Sequence, residues 1–250
     1  MEQSILCILL KVIYAILATI FLGNGTVVIF NRIPLSWFIN PDENNLNDSL
    51  KIELKMLSDK YGIRQQRIKS TPWKYIFMAY FGTIGMYFAL NKTFAFEVAA
   101  LTILFILLLI SISDIKYMTV PNQFTLMILL SSVGFIPVHY EWKDIFYGAI
   151  GGCLIAIIIY ILGRVIYGNK TIRQTYIEIY LSLGIALGLD GVVFVFIVAT
   201  FTMIIEIFYK TVIEKRSIKE KRPLSPHIFI AVTIWLVFFS KFLKDISLLT

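Results

Sequence analysis

Eight apolar runs, at about 5–30, 74–91, 95–113, 122–138, 145–166, 176–189, 191–209 and 226–243, divide this 250-residue sequence. Most approach the roughly twenty residues that a helix needs to cross a hydrocarbon core about 30 Å thick. A backbone inside lipid must satisfy its own polar groups, which leaves helices as the natural spanning structure here. With 58% hydrophobic residues, 16% charged residues and a mean hydropathy of +0.79, the chain is too apolar for a soluble domain of its size. The expected fold class is therefore all-α, a polytopic integral membrane protein with about eight transmembrane helices. Only Leu189-Asp190 separates the sixth and seventh runs, so these two should form a tight helical hairpin.

The net charge of +7 matters less than where the charge lies. Of the 23 Lys and Arg, 18 fall between residues 32 and 74, at 116, between 164 and 173, and between 210 and 222. These regions are alternate ends of the eight runs, so one orientation puts them all on the same side. The positive-inside rule makes that side the cytoplasm and leaves both termini outside. The basic balance is thus a topology signal, and no nucleic acid partner is expected. A cytoplasmic membrane location with the bilayer as constant partner follows.

Residues 35–74 form the only sizeable polar stretch, with the acidic Asp42-Glu43 followed by Leu50, Leu54 and Leu57 at helical spacing. We read an acidic turn and a short basic amphipathic helix on the cytoplasmic surface. This divides the chain into an N-terminal helix plus cytoplasmic segment, 1–74, and a helical core, 75–250. Gly148, Gly151 and Gly152 on the fifth run, and Gly184 with Gly188 on the sixth, are small-residue faces suited to close helix packing.

Ser113-Asp114-Ile115-Lys116-Tyr117-Met118-Thr119-Val120-Pro121-Asn122 joins the third run to the fourth. An ionisable group at the end of a membrane helix is costly unless it has a partner or lines a polar cavity, which makes Asp114 a functional candidate. The plainer alternative is a loop cap paired with Lys116. Pro121 suits the first turn of the next helix and Asn122 its boundary.

A catalytic partner must lie at the same depth. Glu97, Glu141, Asp144, Asp190 and Asp245 belong to the opposite ends. Glu206 has Lys210 four residues on, a ready helical ion pair. Glu178, without such a cation, is the better partner, and Asp114 with Glu178 is the candidate acid pair. Two adjacent carboxyl groups cannot both ionise, so one can activate water while the other polarises a scissile carbonyl. No HExxH or GxSxG pattern occurs, Cys7 and Cys153 lie within apolar runs, and His139 and His227 fall at opposite faces, so no metal site is expected.

The stretch from Asp114 to Pro121-Asn122 resembles the first catalytic motif of the type IV prepilin peptidases. Leu22-Gly23 through Asn31-Arg32-Ile33-Pro34 is similar to that family's N-terminal segment, the Gly148 to Arg164 helix to its glycine-rich helix, and Gly184 with Gly188 to the glycine pair after its second motif. The resemblance implies cleavage of a prepilin-like leader at the cytoplasmic membrane face of a prokaryote, with pilus or secretion proteins as substrates. For the first part of the chain it implies N-methylation with S-adenosylmethionine; the peptidase step needs no cofactor. The family's second aspartate, counted back from Gly184, falls on Tyr176, and Glu178 stands where the family has Lys. The alternatives are that Glu178 has taken over the second acid, or that this is a non-cleaving member acting as a scaffold or assembly factor. A small transporter is a third reading. The family's zinc-binding cysteines and its N-terminal Asn, here Val27, have no counterpart.

Overall fold

The computed structural model describes residues 5–38, 68–139, 141–167, 175–215 and 222–239 of the chain. The expected acidic turn and amphipathic helix after Leu35 lie outside these residues. Among the described residues there is no strand. The helices are α1 (Ile5–Arg32), α2 (Ser70–Asn91), α3 (Phe94–Tyr117), α4 (Asn122–Ser132, continued by a 3₁₀ turn Val133–Val138), α5 (Trp142–Tyr167), α6 (Thr175–Val212) and α7 (Ser225–Ile234, continued by a π-helical turn Trp235–Phe239).

α3 is the axle of the bundle. Its most apolar stretch is 72% buried, against 22–33% for the other long apolar helices, as expected for a helix that is hydrophobic on every side. Thr93 opens it by accepting the Phe96 N–H on its side chain. Met118 closes it in the left-handed region at φ 51°, its N–H donated to the Asp114 carbonyl at 2.9 Å. For a residue with a Cβ that conformation costs about 1–2 kcal/mol. The Ser113 hydroxyl, donated to the Thr119 carbonyl at 2.5 Å, ties the turn across this bend.

Close contacts between small residues set the other packings. A Cβ on Gly148 would stand 2.1 Å from the Gly184 carbonyl oxygen, and one on Gly152 would stand 2.2 Å from that of Tyr180. The glycine faces expected of the fifth and sixth apolar runs therefore bring α5 and the start of α6 into backbone contact. α1 lies on α2, where a Cβ on Gly23 would meet the Met78 backbone at 2.6 Å. Asn31 grips the far end of the polar segment, donating to the Ile68 carbonyl at 3.1 Å and accepting its N–H at 2.9 Å.

α6 is not one rod. At about 1.5 Å per residue a straight helix would separate Tyr176 from Glu206 by roughly 45 Å. Both instead reach the start of α7, Tyr176 through Asp114 and the Ser225 N–H, Glu206 through His227. The reversal is at Gly188, whose φ of 72° and ψ of −178° favour glycine. An outbound arm runs to Gly188 and a return arm runs back, the hairpin expected from Leu189-Asp190.

Among the described residues, four helices are long and apolar enough to cross a membrane: Cys7–Arg32, Phe94–Tyr117, Trp142–Ile161 and Thr175–Val212. Asn122–Val138 and Ser225–Phe239 are apolar but shorter, and two expected spans are the arms of one doubled-back helix. The described residues thus give an all-α membrane protein without establishing the expected eight crossings.

Candidate functional site

Asp114 sits in the last turn of α3 and is 4% exposed. Its Oδ2 accepts two hydrogen bonds, from the Tyr176 hydroxyl at 2.8 Å and from the Ser225 N–H at 3.0 Å. Three elements therefore meet on one oxygen: α3 brings the carboxylate, the outbound arm of α6 brings the phenol, and the first residue of α7 brings a backbone amide. A helix start offers unspent N–H groups and partial positive charge, so a carboxylate is stable there. Ser225 is fixed from its other side as well, since its carbonyl accepts the Ser111 hydroxyl at 3.1 Å.

The floor of the site is aromatic. Tyr117 is fully buried, 4.7 Å between ring centroids from Phe38 and 6.2 Å from Phe30, which joins the two ends of α1's exit to the turn beside Asp114. Pro121 occupies the position just before α4, with Asn122 its first helical residue. The hydroxyls of buried Tyr180, one turn beyond Tyr176, and of Thr175 have no hydrogen-bond partner among the described residues.

Glu178 is exposed and its Oε2 faces the Thr125 hydroxyl on α4, which also reaches the Asn122 carbonyl at 2.8 Å. The backbone is helical from Thr175 onward, so two residues turn the side chain by about 200°. Tyr176 consequently points at Asp114, while Glu178 points to the start of α4. The two acids have separate partners and share no hydrogen bond. Counting back from Gly184 reaches Tyr176, but nothing in the sequence marks it as Asp114's partner. The Ser225 amide, a main-chain donor 111 residues away, left no side-chain signal at all.

Glu206 makes the expected ion pair with Lys210 and also takes His227 Nε2 at 2.6 Å. The other ring nitrogen meets the Thr202 hydroxyl at 3.1 Å. This cluster shares the 222–227 segment with the Asp114 site but not its hydrogen bonds. Among the described residues no three His, Cys, Asp or Glu side chains gather as a metal centre requires. Val27, within the 1–74 region that the resemblance links to methyl transfer, is 3% exposed within the apolar core. Most of the segment after it lies outside the described residues.

Fold and site together define a polytopic helical membrane protein with a buried aspartate where three helices meet. Residues 100–208 match the model of the Type IV leader peptidase family. The matched family is one of aspartic-type peptidases. The matched segment contains Asp114, Tyr176 and Glu178, whereas Ser225 lies beyond it. No curated protein and no solved structure matches the chain.

Proposed function

We propose that this protein engages the leader of prepilin-like membrane proteins at the Asp114 site without cutting it, as a scaffold or assembly factor of a pilus or secretion apparatus at the cytoplasmic membrane face. The observation that carries this reading is the phenol of Tyr176 on Asp114, where a peptidase needs a second carboxyl group. Two acids share one proton and exchange roles during peptide hydrolysis. A phenol with an ordinary pKa of about 10 supplies a hydrogen bond but no readily transferred proton. Asp114 alone would serve as a general base, a contribution of about 10²–10⁴-fold, without polarising the carbonyl or protonating the leaving amine.

A second reading keeps proteolysis, with Asp114 and Glu178 as the catalytic pair. Glu178 meets Thr125, three residues beyond the Asn122 that closes the Asp114 motif, so both acids border the same α3–α4 turn. Unwinding the first turn of α6 would bring positions 176 and 178 to one side, by the period of two in extended chain.

Leader cleavage in liposomes holding the purified chain and a prepilin-like substrate separates the two. The scaffold reading expects no cleavage by the wild type, unchanged substrate capture by Asp114→Asn, and newly gained cleavage in Tyr176→Asp. Cleavage by the wild type that disappears in both Asp114→Asn and Glu178→Gln would establish the acid pair instead.

A further inference from the structure

α1 packs one face on α2 and leaves another bare. Leu10, Ile13, Leu17, Phe21, Asn24 and Val28 fall within an arc of about 80° at about 100° per residue, a stripe about 27 Å long that crosses most of a hydrocarbon core. Its apolar members range from 38% exposed at Val28 to 70% at Phe21. Asn24 is exposed on the same stripe, and its amide makes no hydrogen bond among the described residues. Asn31 and Asn91 by contrast spend theirs inside the chain, on Ile68 and on the Tyr87 carbonyl. Asn24 stands about 12 Å along the helix from Arg32, its basic end, and so lies within the apolar layer. Lipid chains offer a carboxamide nothing to bond, so leaving it bare there is costly.

Gly25 borders the stripe and adds a second, independent sign. A Cβ there would meet only Ile29 of its own helix, at 4.0 Å, whereas one on Gly23 would strike the Met78 backbone at 2.6 Å. Gly23 is thus used by α2, and the close approach that Gly25 permits is used by nothing in this chain. Both features call for another helix. All copies of a membrane protein are inserted in one orientation, so α1 of a second copy meets this face parallel and at equal depth. Asn24 then faces its own counterpart, and a carboxamide both donates and accepts. A helix of another protein would need its own polar group at that depth, whereas a second copy always carries one.

We infer that α1 is the interface of a homodimer, in which the Leu10 to Val28 stripe packs on its counterpart and the two Asn24 amides bond across a two-fold axis. Phe30, behind the stripe, stacks on Tyr117 beside Asp114, so the dimer sets two Asp114 sites side by side at the same membrane face.

Oxidative cross-linking of the full chain in liposomes tests it, with Cys7→Ser and Cys153→Ser as the background. Leu17→Cys and Val28→Cys should give disulfide dimers. Ile29→Cys, 43% exposed but turned away from the stripe, should give about tenfold less. Adding Asn24→Leu should lower the Val28→Cys yield about fivefold, as loss of an interhelical hydrogen bond in lipid implies, and Asn24→Gln, which keeps the amide, should retain most of it. Asn24 is exposed, so neither change threatens the fold. Equal yields at positions 17, 28 and 29, or an undiminished yield in Asn24→Leu, would overturn the interface. Cross-links from Leu17→Cys and Val28→Cys to a co-reconstituted prepilin-like helix, without self-dimers, would overturn it in favour of substrate docking.

Discussion

The two arms of α6 converge on the start of α7 with opposite chemistry. The outbound arm is pressed into α5 through Gly148, Gly152 and Gly184 and delivers a neutral phenol to a buried carboxylate. The return arm faces outward and ends in Glu206, 24% exposed at its side chain, held by Lys210 and His227. Covered Asp114 is satisfied by dipoles of fixed geometry, while partly exposed Glu206 pairs with the charge of Lys210 and takes His227 as a second hydrogen-bond partner. The contrast shows how one hairpin can serve packing and site geometry on one side and the bilayer edge on the other.

Disrupting the outbound arm should have the largest effect. Gly184→Leu puts a Cβ 2.0 Å from the Gly148 carbonyl oxygen, a clash with main chain that no rotamer relieves. A loss of about 3 kcal/mol or more is expected, at the upper end of overpacking costs, and thermal unfolding in detergent would register it. Next comes Asp114→Ala, which strands the Tyr176 hydroxyl and the Ser225 N–H in a buried site at about 1–3 kcal/mol each. Asp114→Asn keeps an acceptor and should cost clearly less in the same measurement. On the return arm, Glu206→Gln weakens the partly exposed ion pair with Lys210 and should lower stability by only about 0.5–1 kcal/mol. Smallest of all is Glu178→Gln, whose exposed side chain should leave the unfolding curve where the wild type's lies.

The sequence made much of this legible where a physical constraint was local. Asp114 stood out because a charge ended an apolar run, and the hairpin because a run too long for one crossing was interrupted by Leu189-Asp190. The glycines of α5 and α6 were legible because only close helix approach explains them in that spacing. The membrane crossings were harder to count, since Asn122–Val138 and the described part of the last run, Ser225–Phe239, fall short of the length a membrane-spanning helix needs. Tyr176's partner depended on whether residues 174–178 were helical, which a short mixed stretch does not reveal. A backbone donor such as the Ser225 N–H has no residue signature, and the same holds for His227 joining Glu206.

The central claim is that Asp114 is coupled to Tyr176 and not to Glu178. Double-mutant cycles on thermal stability test it most directly, pairing Asp114→Asn first with Tyr176→Phe and then with Glu178→Gln. The first cycle should give a coupling of about 1 kcal/mol or more, and the second should be additive within about 0.5 kcal/mol. Additivity in the first cycle together with strong coupling in the second would contradict the account and return Glu178 to the side of Asp114.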